Sequence, residues 1–321
     1  MLLMLDFKNW DSFLYFFSAS SSQSFLKKCY KLRSTDLAEQ KSYENCYPFI
    51  YYLEHGQIYY NQAKNAPLII QPILLFYGLV HLIKACILTI DPNYPESTTV
   101  LAHGVSTRKR KKQQYHFFLD EVKIQKSGLL PYMGEKMFHM KHLEGEKITM
   151  QELLSQIPEL SLMFSQTKGK NTFLQIKRND DLLSLPKIIL DHYHMTESRF
   201  TDFLKTDMAD LIILQESNDQ FINFSLNTLD NVEFLPFKYN LENLEINFPT
   251  TKSVLNNYPE LLIHYLLLYN LSMISRYETE WWSELIKMMP NQDYPFIQSF
   301  LNITSKKGPF LIYQFLKGKL S

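Results

Sequence analysis

The 321-residue chain is poor in the residues that mark disulfide-rich or loop-rich folds. Its three cysteines, Cys29, Cys46 and Cys86, are widely spaced and form no C-x-x-C pair, so we expect reduced thiols and neither disulfides nor a zinc site. Nine glycines, against 23 phenylalanines and 20 tyrosines, leave few positions for turns with positive φ. This balance favours long elements and an aromatic-rich, mainly helical core.

The chain also lacks net charge, because 33 lysines and arginines are matched by 33 acidic residues. No overall field attracts it to nucleic acid or to an anionic membrane, so any such attraction must come from a local patch. The N-terminal residues MLLMLDFKNWD lack the basic region of a secretory signal. A GKS/T phosphate loop, a serine-nucleophile elbow and a dinucleotide fingerprint are also missing. We therefore expect a cytoplasmic protein without a cofactor.

The longest apolar stretch is QPILLFYGLVHLIKACILTI, residues 71–90. Pro72 suits the first turn of a helix, and nearly every helical face after it is apolar. His81 and Lys84 interrupt the stretch, and a charge in the middle of a membrane span costs a few kcal/mol. We therefore predict a buried helix and no membrane span. A second stretch that is apolar on all sides, residues 258–277, is predicted to lie beside it.

The remaining pattern predicts an α+β fold that is mainly α. Helical spacing dominates residues 1–114 and returns in residues 251–321. Between them, residues 115–250 contain short β-type runs such as FLQIK, DLIILQ, FINFSL and LEINF. We interpret the chain as a helical bundle, formed by its N- and C-terminal parts, with a central α+β insertion.

Several local predictions accompany this architecture. The polar tract SASSSQS is predicted to be a loop before a short helix around Phe25–Leu32. Thr149, followed by Glu152, and Thr196 are predicted to cap helices. Prolines in the C-terminal part predict two short helices around 295–303 and 309–317.

The segment HGVSTRKRKK, residues 103–112, contains five consecutive basic residues and is predicted to be an exposed turn or the start of a polar helix. Adjacent cations repel one another and attract water or polyanions, so a solvated loop and an anion-binding patch remain alternatives. The candidate anion-binding residues are His103, Ser106, Thr107, Arg108, Lys109, Arg110, Lys111 and Lys112.

Polar residues in the two apolar stretches form a second set of candidates. His81 and Lys84 lie three residues apart, on one helical face, and His264 lies in the other stretch. We interpret the histidines as core residues bonded to a backbone or tyrosine partner. A facing histidine pair could also hold a metal or act as an acid–base pair, and buried Lys84 needs a partner or a route to solvent.

Two further clusters have alternative interpretations. Arg276, Tyr277 and Trp281 follow the second apolar stretch and predict either a stacked Arg–Trp structural cluster or a recognition surface. The segment HMKHLEGE could ligate a metal, but it is a polar loop without a second ligand pair, so we expect no metal site. Its potential ligands are His139, His142, Glu144 and Glu146.

Two stretches, PILLFYGLVHLIKACILTIDPNYPESTTVLAHGVSTRKRKK and HYLLLYNLSMISRYETEWW, resemble the YaaC-like family of Bacillus and related Gram-positive bacteria. The resemblance covers nearly the whole chain, and HGVSTRKRKK is its most specific part. It implies a cytoplasmic bacterial protein of poorly defined activity. The family is often encoded near the gene for IMP dehydrogenase, which implies a link to purine metabolism.

The paired apolar helices are more distantly similar to HEPN helical domains. Many of these are dimeric ribonucleases that use an arginine followed four to six residues later by a histidine, so the similarity also implies a homodimer. Arg110 and His116 have this spacing, but Lys111 stands where the family prefers Asn, Asp or His. This departure fits a non-catalytic relative better than a ribonuclease.

Two function hypotheses follow from these observations. In the first, the chain is a non-catalytic binding or regulatory protein that recognises an anionic partner: RNA, a nucleotide or an acidic protein surface. In the second, it is a HEPN-like, metal-independent endoribonuclease with His103, Arg110 and His116 as candidate catalytic residues. The second requires a histidine held within hydrogen-bond reach of the proton that it transfers.

Overall fold

The computed structural model describes residues 7–32, 37–107, 116–208, 211–226, 235–252 and 258–320. Helix accounts for 59% of the structure and strand for 13%, which confirms the predicted α+β, mainly α class. The α-helices are α1 (Ala19–Lys31), α2 (Ala38–Asn65), α3 (Gln71–Leu88), α4 (Leu129–Phe138), α5 (Met150–Ser155), α6 (Ser161–Lys168), α7 (Ile189–Tyr193), α8 (Glu197–Met208), α9 (Glu260–Tyr277), α10 (Thr279–Met288) and α11 (Asp293–Lys317).

The strands pair only with antiparallel neighbours in the described residues. They are β1 (Val105–Thr107), β2 (Glu121–Ile124), β3 (Lys147–Thr149), β4 (Phe173–Gln175), β5 (Lys177–Asn179), β6 (Leu182–Pro186), β7 (Ile212–Leu214), β8 (Phe221–Leu226), β9 (Lys238–Asn240) and β10 (Glu245–Pro249). Their sheets have the orders β1-β2-β3, β4-β10-β9 and β5-β6-β8-β7. The runs FLQIK, DLIILQ, FINFSL and LEINF all contain strands, as predicted.

The chain forms two compact units. One, the helical unit, comprises Phe7–Leu153 and Leu261–Ser321, and the other, the α+β unit, comprises Leu154–Glu260. The predicted insertion, 115–250, overlaps the α+β unit, but its first residues make their contacts within the helical unit. The predicted division into domains and the HEPN-like arrangement stay predictions.

Within the helical unit, α2 packs along α3 at two glycines. A Cβ atom on Gly56 would lie 2.5 Å from Leu82 Cδ2, and one on Gly78 would lie 2.7 Å from Tyr60 Cδ2 and 3.0 Å from Tyr59 Cβ. The two helix backbones therefore approach closely only because these side chains are missing. Gly56 is therefore a point of helix contact.

Helix α3 lies at the centre of the helical unit, and its predicted neighbour α9 contacts it. The Phe76 ring lies 5.3 Å from that of Tyr265 and 5.7 Å from that of Tyr269, centroid to centroid. In the described residues, α3 is the one helix long and apolar enough to cross a membrane by length and composition. Because 67% of it is buried inside the structure, the burial predicted for it is confirmed.

Two local predictions in this unit are wrong. The tract SASSSQS is the start of α1 and not a loop, because Ser18 caps the helix by accepting a hydrogen bond from the Ser21 amide at 3.3 Å. The two predicted C-terminal helices are one helix, α11, that continues through Pro309. Residues on both sides of this proline are fully buried, so tertiary packing outweighs the local cost of the proline.

The α+β unit has its own core around the sheet β5-β6-β8-β7. Alternate residues of β6 and β8 face one another: Leu183 pairs with Phe224, and Leu185 pairs with Ile222. All four side chains are buried together with Phe200 of α8. This is the period-two pattern of a sheet with one covered face.

The predicted helix caps are confirmed. Thr149 and Glu152 form a reciprocal capping box: the Thr149 amide donates to Glu152 Oε2 at 2.8 Å, and the Glu152 amide donates to Thr149 Oγ1 at 3.2 Å. Thr196 Oγ1 accepts a hydrogen bond from the Arg199 amide at 3.4 Å at the start of α8. These short motifs act locally, so the sequence alone suffices to find them.

We predict that Gly78→Ala destabilises the protein. Alanine favours an isolated helix over glycine by about 1 kcal/mol. Here the added methyl group would meet the Tyr59 Cβ atom, which cannot move without the α2 backbone. We expect overpacking to outweigh propensity and to lower the free energy of unfolding by about 1–3 kcal/mol in chemical denaturation.

The matched control is Gln62→Ala, a change to alanine at an exposed position of α2. We expect it to alter the free energy of unfolding by less than about 0.5 kcal/mol. A Gly78→Ala variant at least as stable as the wild type would contradict the claim that α2 and α3 leave no space for a side chain at Gly78.

Candidate anion-binding site

The structure describes only residues 103–107 of the predicted patch, which spans residues 103–112. The basic run Arg108–Lys112, including Arg110, lies outside the described residues. Ser106 and Thr107 form part of β1 and pair with β2, and Ser106 Oγ accepts a hydrogen bond from Gln125 Nε2 at 2.6 Å. An anion-binding role for the basic run stays a prediction.

The sequence predicts an exposed turn at His103, but the His103 side chain instead packs inside the helical unit. Its ring centroid lies 5.0 Å from that of Phe76 and 5.7 Å from that of Tyr269. Its carbonyl oxygen accepts hydrogen bonds from the Tyr265 hydroxyl at 2.9 Å and from the Leu130 amide at 3.2 Å. Helices α3, α4 and α9 therefore fix the position of this histidine.

The residue after His103 explains why the chain can turn here. Gly104 has φ +75°, and its Cα atom would lie 2.4 Å from a Cβ atom on Gly128, which itself has φ +128°. Both the conformation and the contact require glycine. The chain thus makes a tight turn at His103 and Gly104. The turn places the imidazole between helices, and β1 begins at the next residue.

His103 is one of four basic side chains that form a partly exposed group, which we call the cationic cluster. Its members are His81 and Lys84 of α3, His103, and Arg276 at the end of α9. Arg276 Nη1 donates a hydrogen bond at 3.2 Å to the Tyr77 hydroxyl. The Tyr77 ring centroid in turn lies 6.1 Å from that of His103.

Tyrosines of α2 and α3 line the cationic cluster, and we call Tyr52, Tyr59 and Tyr77 the tyrosine wall. Tyr59 stacks on the His81 ring with centroids 5.6 Å apart and an interplanar angle of 18°. Lys84 Nζ lies 5.8 Å from the Tyr52 ring centroid, within the range of a cation–π contact. Each tyrosine of the wall is partly exposed.

The electrostatics of the cationic cluster disfavour positive charge. Burial, followed by the nearby Lys84 and His55, lowers the pKa of His81 from 6.5 to about 4. Burial, followed by the charges of Arg276 and Lys84, lowers the pKa of His103. Burial also lowers the pKa of Lys84. Both imidazoles are therefore neutral at pH 7, and His103 feels the field of both cations.

No acidic side chain compensates these charges in the part of the chain that the structure describes. There, neither Lys84 nor Arg276 has a carboxylate oxygen within 4.0 Å. The Nδ1 atoms of His81 and His103 are buried and have no hydrogen-bond partner among the described residues. Buried polar atoms are normally satisfied by protein groups or by ordered water, so each of these two nitrogens has capacity for a further hydrogen bond.

The other predicted site residues lie in separate surroundings. His264 is fully buried, as predicted, but its Nδ1 lies 2.8 Å from Thr304 Oγ1, so its partner is a threonine hydroxyl and not the predicted backbone or tyrosine group. His81 contacts α2, whereas His264 contacts α11. The alternative of a facing histidine pair is therefore wrong.

The predicted Arg–Trp stack is also wrong. The Arg276 guanidinium lies over the rings of Tyr77 and Tyr277, at 5.9 Å and 5.3 Å from their centroids. Trp282 is fully buried and its Nε1 donates to the Ile69 carbonyl at 2.9 Å, and Trp281 lies beside it. The tryptophans thus anchor α10, while the arginine belongs to the cationic cluster.

His116 and the segment HMKHLEGE do not belong to the cationic cluster by any described contact. His116 Nδ1 lies 4.0 Å from Asp293 Oδ2, at the start of α11. Over the described residues, no three His, Cys, Asp or Glu side chains are grouped to hold a metal, and this includes His139, His142, Glu144 and Glu146. Cys29, Cys46 and Cys86 are buried, and the described residues contain no disulfide between them.

Sequence analysis found all four members of the cationic cluster but assigned them to three different groups. It missed Tyr52, Tyr59 and Tyr77, whose role depends on how α2 lies against α3. A signal was present, because Tyr52 and Tyr59 are seven residues apart and Tyr77 precedes His81 by four, which puts each pair on one helical face.

These features define a mainly helical α+β protein with a partly buried, cationic cluster lined by tyrosines. The model of the family described as "YaaC-like Protein" matches residues 14–316, and the chain belongs to that family. No curated protein and no solved structure matches the chain. The family resemblance of the sequence is therefore confirmed, and the similarity to HEPN domains stays a prediction.

We predict that the His81 imidazole titrates near pH 4 and that Lys84→Gln raises its pKa. Removing a neighbouring cation favours the protonated ring, but burial, the larger cause, remains, so the pKa should stay below 6.5. Histidine ring resonances followed by NMR from pH 3 to 8 measure both values. Lys287→Gln, an exposed position of α10, is the control and should leave the His81 pKa unchanged.

The same shift predicts how stability depends on pH. The His81 pKa is lower in the folded protein than in the unfolded chain, so the unfolded state binds more protons between about pH 4 and 6.5. The contribution of His81 to stability is complete above pH 6.5 and is lost as the pH falls to about 4. A wild-type His81 that titrates at pH 6.5 would contradict the buried environment.

Proposed function

We propose that this YaaC-like protein is a non-catalytic binding protein that recognises an anionic ligand at the cationic cluster. The single observation that carries the proposal is the uncompensated positive charge: Lys84 and Arg276 have no carboxylate partner among the described residues, and both act on His103. Keeping unpaired cations partly buried costs free energy in the absence of a ligand. A bound anion removes that cost.

The chemistry of the cationic cluster suits an anion better than a metal ion. Lysine and arginine carry only hydrogen-bond donors, and arginine presents them in a planar fork that matches a phosphate or carboxylate. Neutral imidazoles can donate one hydrogen bond each without adding charge. A metal ion would instead be repelled by the two cations.

The position of the basic run in the sequence supports the same proposal. Arg108 follows His103 by only five residues, so the chain leads from the cationic cluster directly into five consecutive cations. These residues can raise the local concentration of anions without contacting the ligand. In this proposal the basic run attracts anions towards the protein, and the cationic cluster makes the specific contacts with the bound anion.

The ribonuclease hypothesis receives less support. Of its candidate catalytic residues, Arg110 lies outside the described residues, and His116 lies beside Asp293 whereas His103 packs against α3 and α9. Both versions of the hypothesis, Arg110 with His116 and His103 with the basic run, need a residue outside the described part of the chain, so no described contact supports either one. A cytoplasmic location, a role in regulation or purine metabolism, and a homodimer remain predictions beside the proposed binding function.

We predict that inorganic pyrophosphate binds the wild-type protein and that Lys84→Gln and Arg276→Gln each weaken its binding by about 10- to 100-fold. A hydrogen bond to a charged group contributes about 1.5–3 kcal/mol, and 1.4 kcal/mol corresponds to a tenfold change in affinity. Isothermal titration calorimetry at low ionic strength measures these affinities. Added KCl should weaken binding to the wild type more than to either variant.

Lys287→Gln removes an exposed lysine and serves as the control with unchanged affinity. Thermal unfolding of each variant separates a loss of binding from a loss of folding. Wild-type affinity for pyrophosphate in both folded cluster variants would refute the proposed site, and so would a wild-type protein that binds neither pyrophosphate nor a phosphomonoester.

A further inference from the structure

We infer that the ligand is a phosphomonoester that carries a planar ring, with its phosphate at the cationic cluster and its ring against the tyrosine wall. This inference rests on the proposed function and makes it more specific. It also gives the tyrosine wall a role in binding, which the recognition of a negative charge by itself does not.

The presence of two basic groups favours a ligand that carries more than one negative charge. Lys84 and Arg276 are two basic groups, and both affect the same imidazole, that of His103. A phosphomonoester carries a charge of about −1.5 to −2 at pH 7, whereas a phosphodiester or carboxylate carries −1. A monoester therefore balances both basic groups with a single phosphate, which a monoanion does not.

Hydrogen-bond capacity gives the same answer. The terminal phosphate of a monoester has three strong acceptor oxygens. The guanidinium of Arg276 can donate to two of them, and it already has its orientation fixed by Tyr77 and by the Ser272 carbonyl, which accepts from Nε at 3.1 Å. Lys84 and the two imidazoles supply the remaining donors. A phosphodiester in RNA has only two such oxygens to offer.

The tyrosine wall accounts for the ring. The Tyr52 ring centroid lies 6.0 Å from that of His81 and 5.8 Å from Lys84 Nζ. An aromatic ring therefore adjoins the lysine of the cationic cluster. The Arg276 guanidinium lies 5.9 Å from the Tyr77 ring centroid, so a second aromatic ring adjoins the other cation. Planar rings stack on tyrosine faces whatever their hydrogen-bonding pattern, which is how proteins bind bases without reading their identity.

Two other partners in the binding hypothesis fit these observations less well. The cations and tyrosines are only partly exposed, so a folded protein surface or an RNA duplex meets them at few points. An extended single strand would supply stacking, but its backbone phosphates are monoanionic diesters. A small molecule with one terminal phosphate uses both features together.

The test compares probes that differ in one feature. Calorimetry would measure 5′-AMP, 5′-GMP, 5′-CMP and 5′-UMP, then ribose 5-phosphate, which lacks the ring, and 3′,5′-cyclic AMP, which keeps the ring but is a diester. Pyridoxal 5′-phosphate represents a second source of a planar ring. We expect at least one ring-bearing monoester to bind about tenfold or more tightly than both ribose 5-phosphate and the cyclic diester.

A pair of variants isolates the ring contact. Tyr52 has no hydrogen bond that Tyr52→Phe would remove within the described residues, so that variant keeps the aromatic face, whereas Tyr52→Leu loses it. We expect Tyr52→Leu to weaken binding of the best ring-bearing monoester by about fivefold or more and Tyr52→Phe to retain it. Binding of ribose 5-phosphate should be equal in both variants.

The outcomes separate this inference from the proposed function. If pyrophosphate binds but the ring-bearing monoesters bind no better than ribose 5-phosphate or the cyclic diester, the inference is wrong and the proposed function stands. The same conclusion follows if folded Tyr52→Leu binds like the wild type. If neither pyrophosphate nor any of these probes binds, both are wrong.

Discussion

The contact of α2 with α3 at Gly78 determines where the polar side chains of the central helix lie. Because no side chain separates the helices there, Tyr59 reaches across α3 and stacks on His81. The remaining faces of α3 are buried by other helices, among them α9 and α11. Its two basic residues therefore lie on the side that α2 leaves partly open, where tyrosines of α2 accompany them. The helix packing that builds the core also builds the candidate site.

The cationic cluster carries an electrostatic cost in a chain whose overall charge is zero. Lys84 acts on both imidazoles and Arg276 acts on that of His103, without a carboxylate nearby among the described residues. In the proposed function, a bound anion provides the opposite charge. This distinguishes the cationic cluster from His264, whose hydroxyl partner in the core gives it a structural role.

The sequence predicted those features that depend on neighbours along the chain. Periodicity located the two apolar helices, and the spacing of Thr149 and Glu152 located a helix start. The predictions failed where tertiary packing decides the structure. Pro309 lies inside a buried helix, and His103 is packed between helices where an exposed turn was predicted. Arg276 was found but paired with the wrong rings, because Tyr77 is 199 residues away along the chain. No local pattern encodes such a contact.

The central claim is that the cationic cluster binds an anion, and the two imidazoles can report it directly. A bound anion stabilises the protonated ring, so saturating inorganic phosphate should raise the pKa of both His81 and His103. Histidine-selective NMR titration with and without phosphate measures this, and the ring resonances of His264 at fixed pH should stay in place. The account predicts an upward shift confined to His81 and His103. Unchanged pKa values of both at saturating phosphate would contradict it.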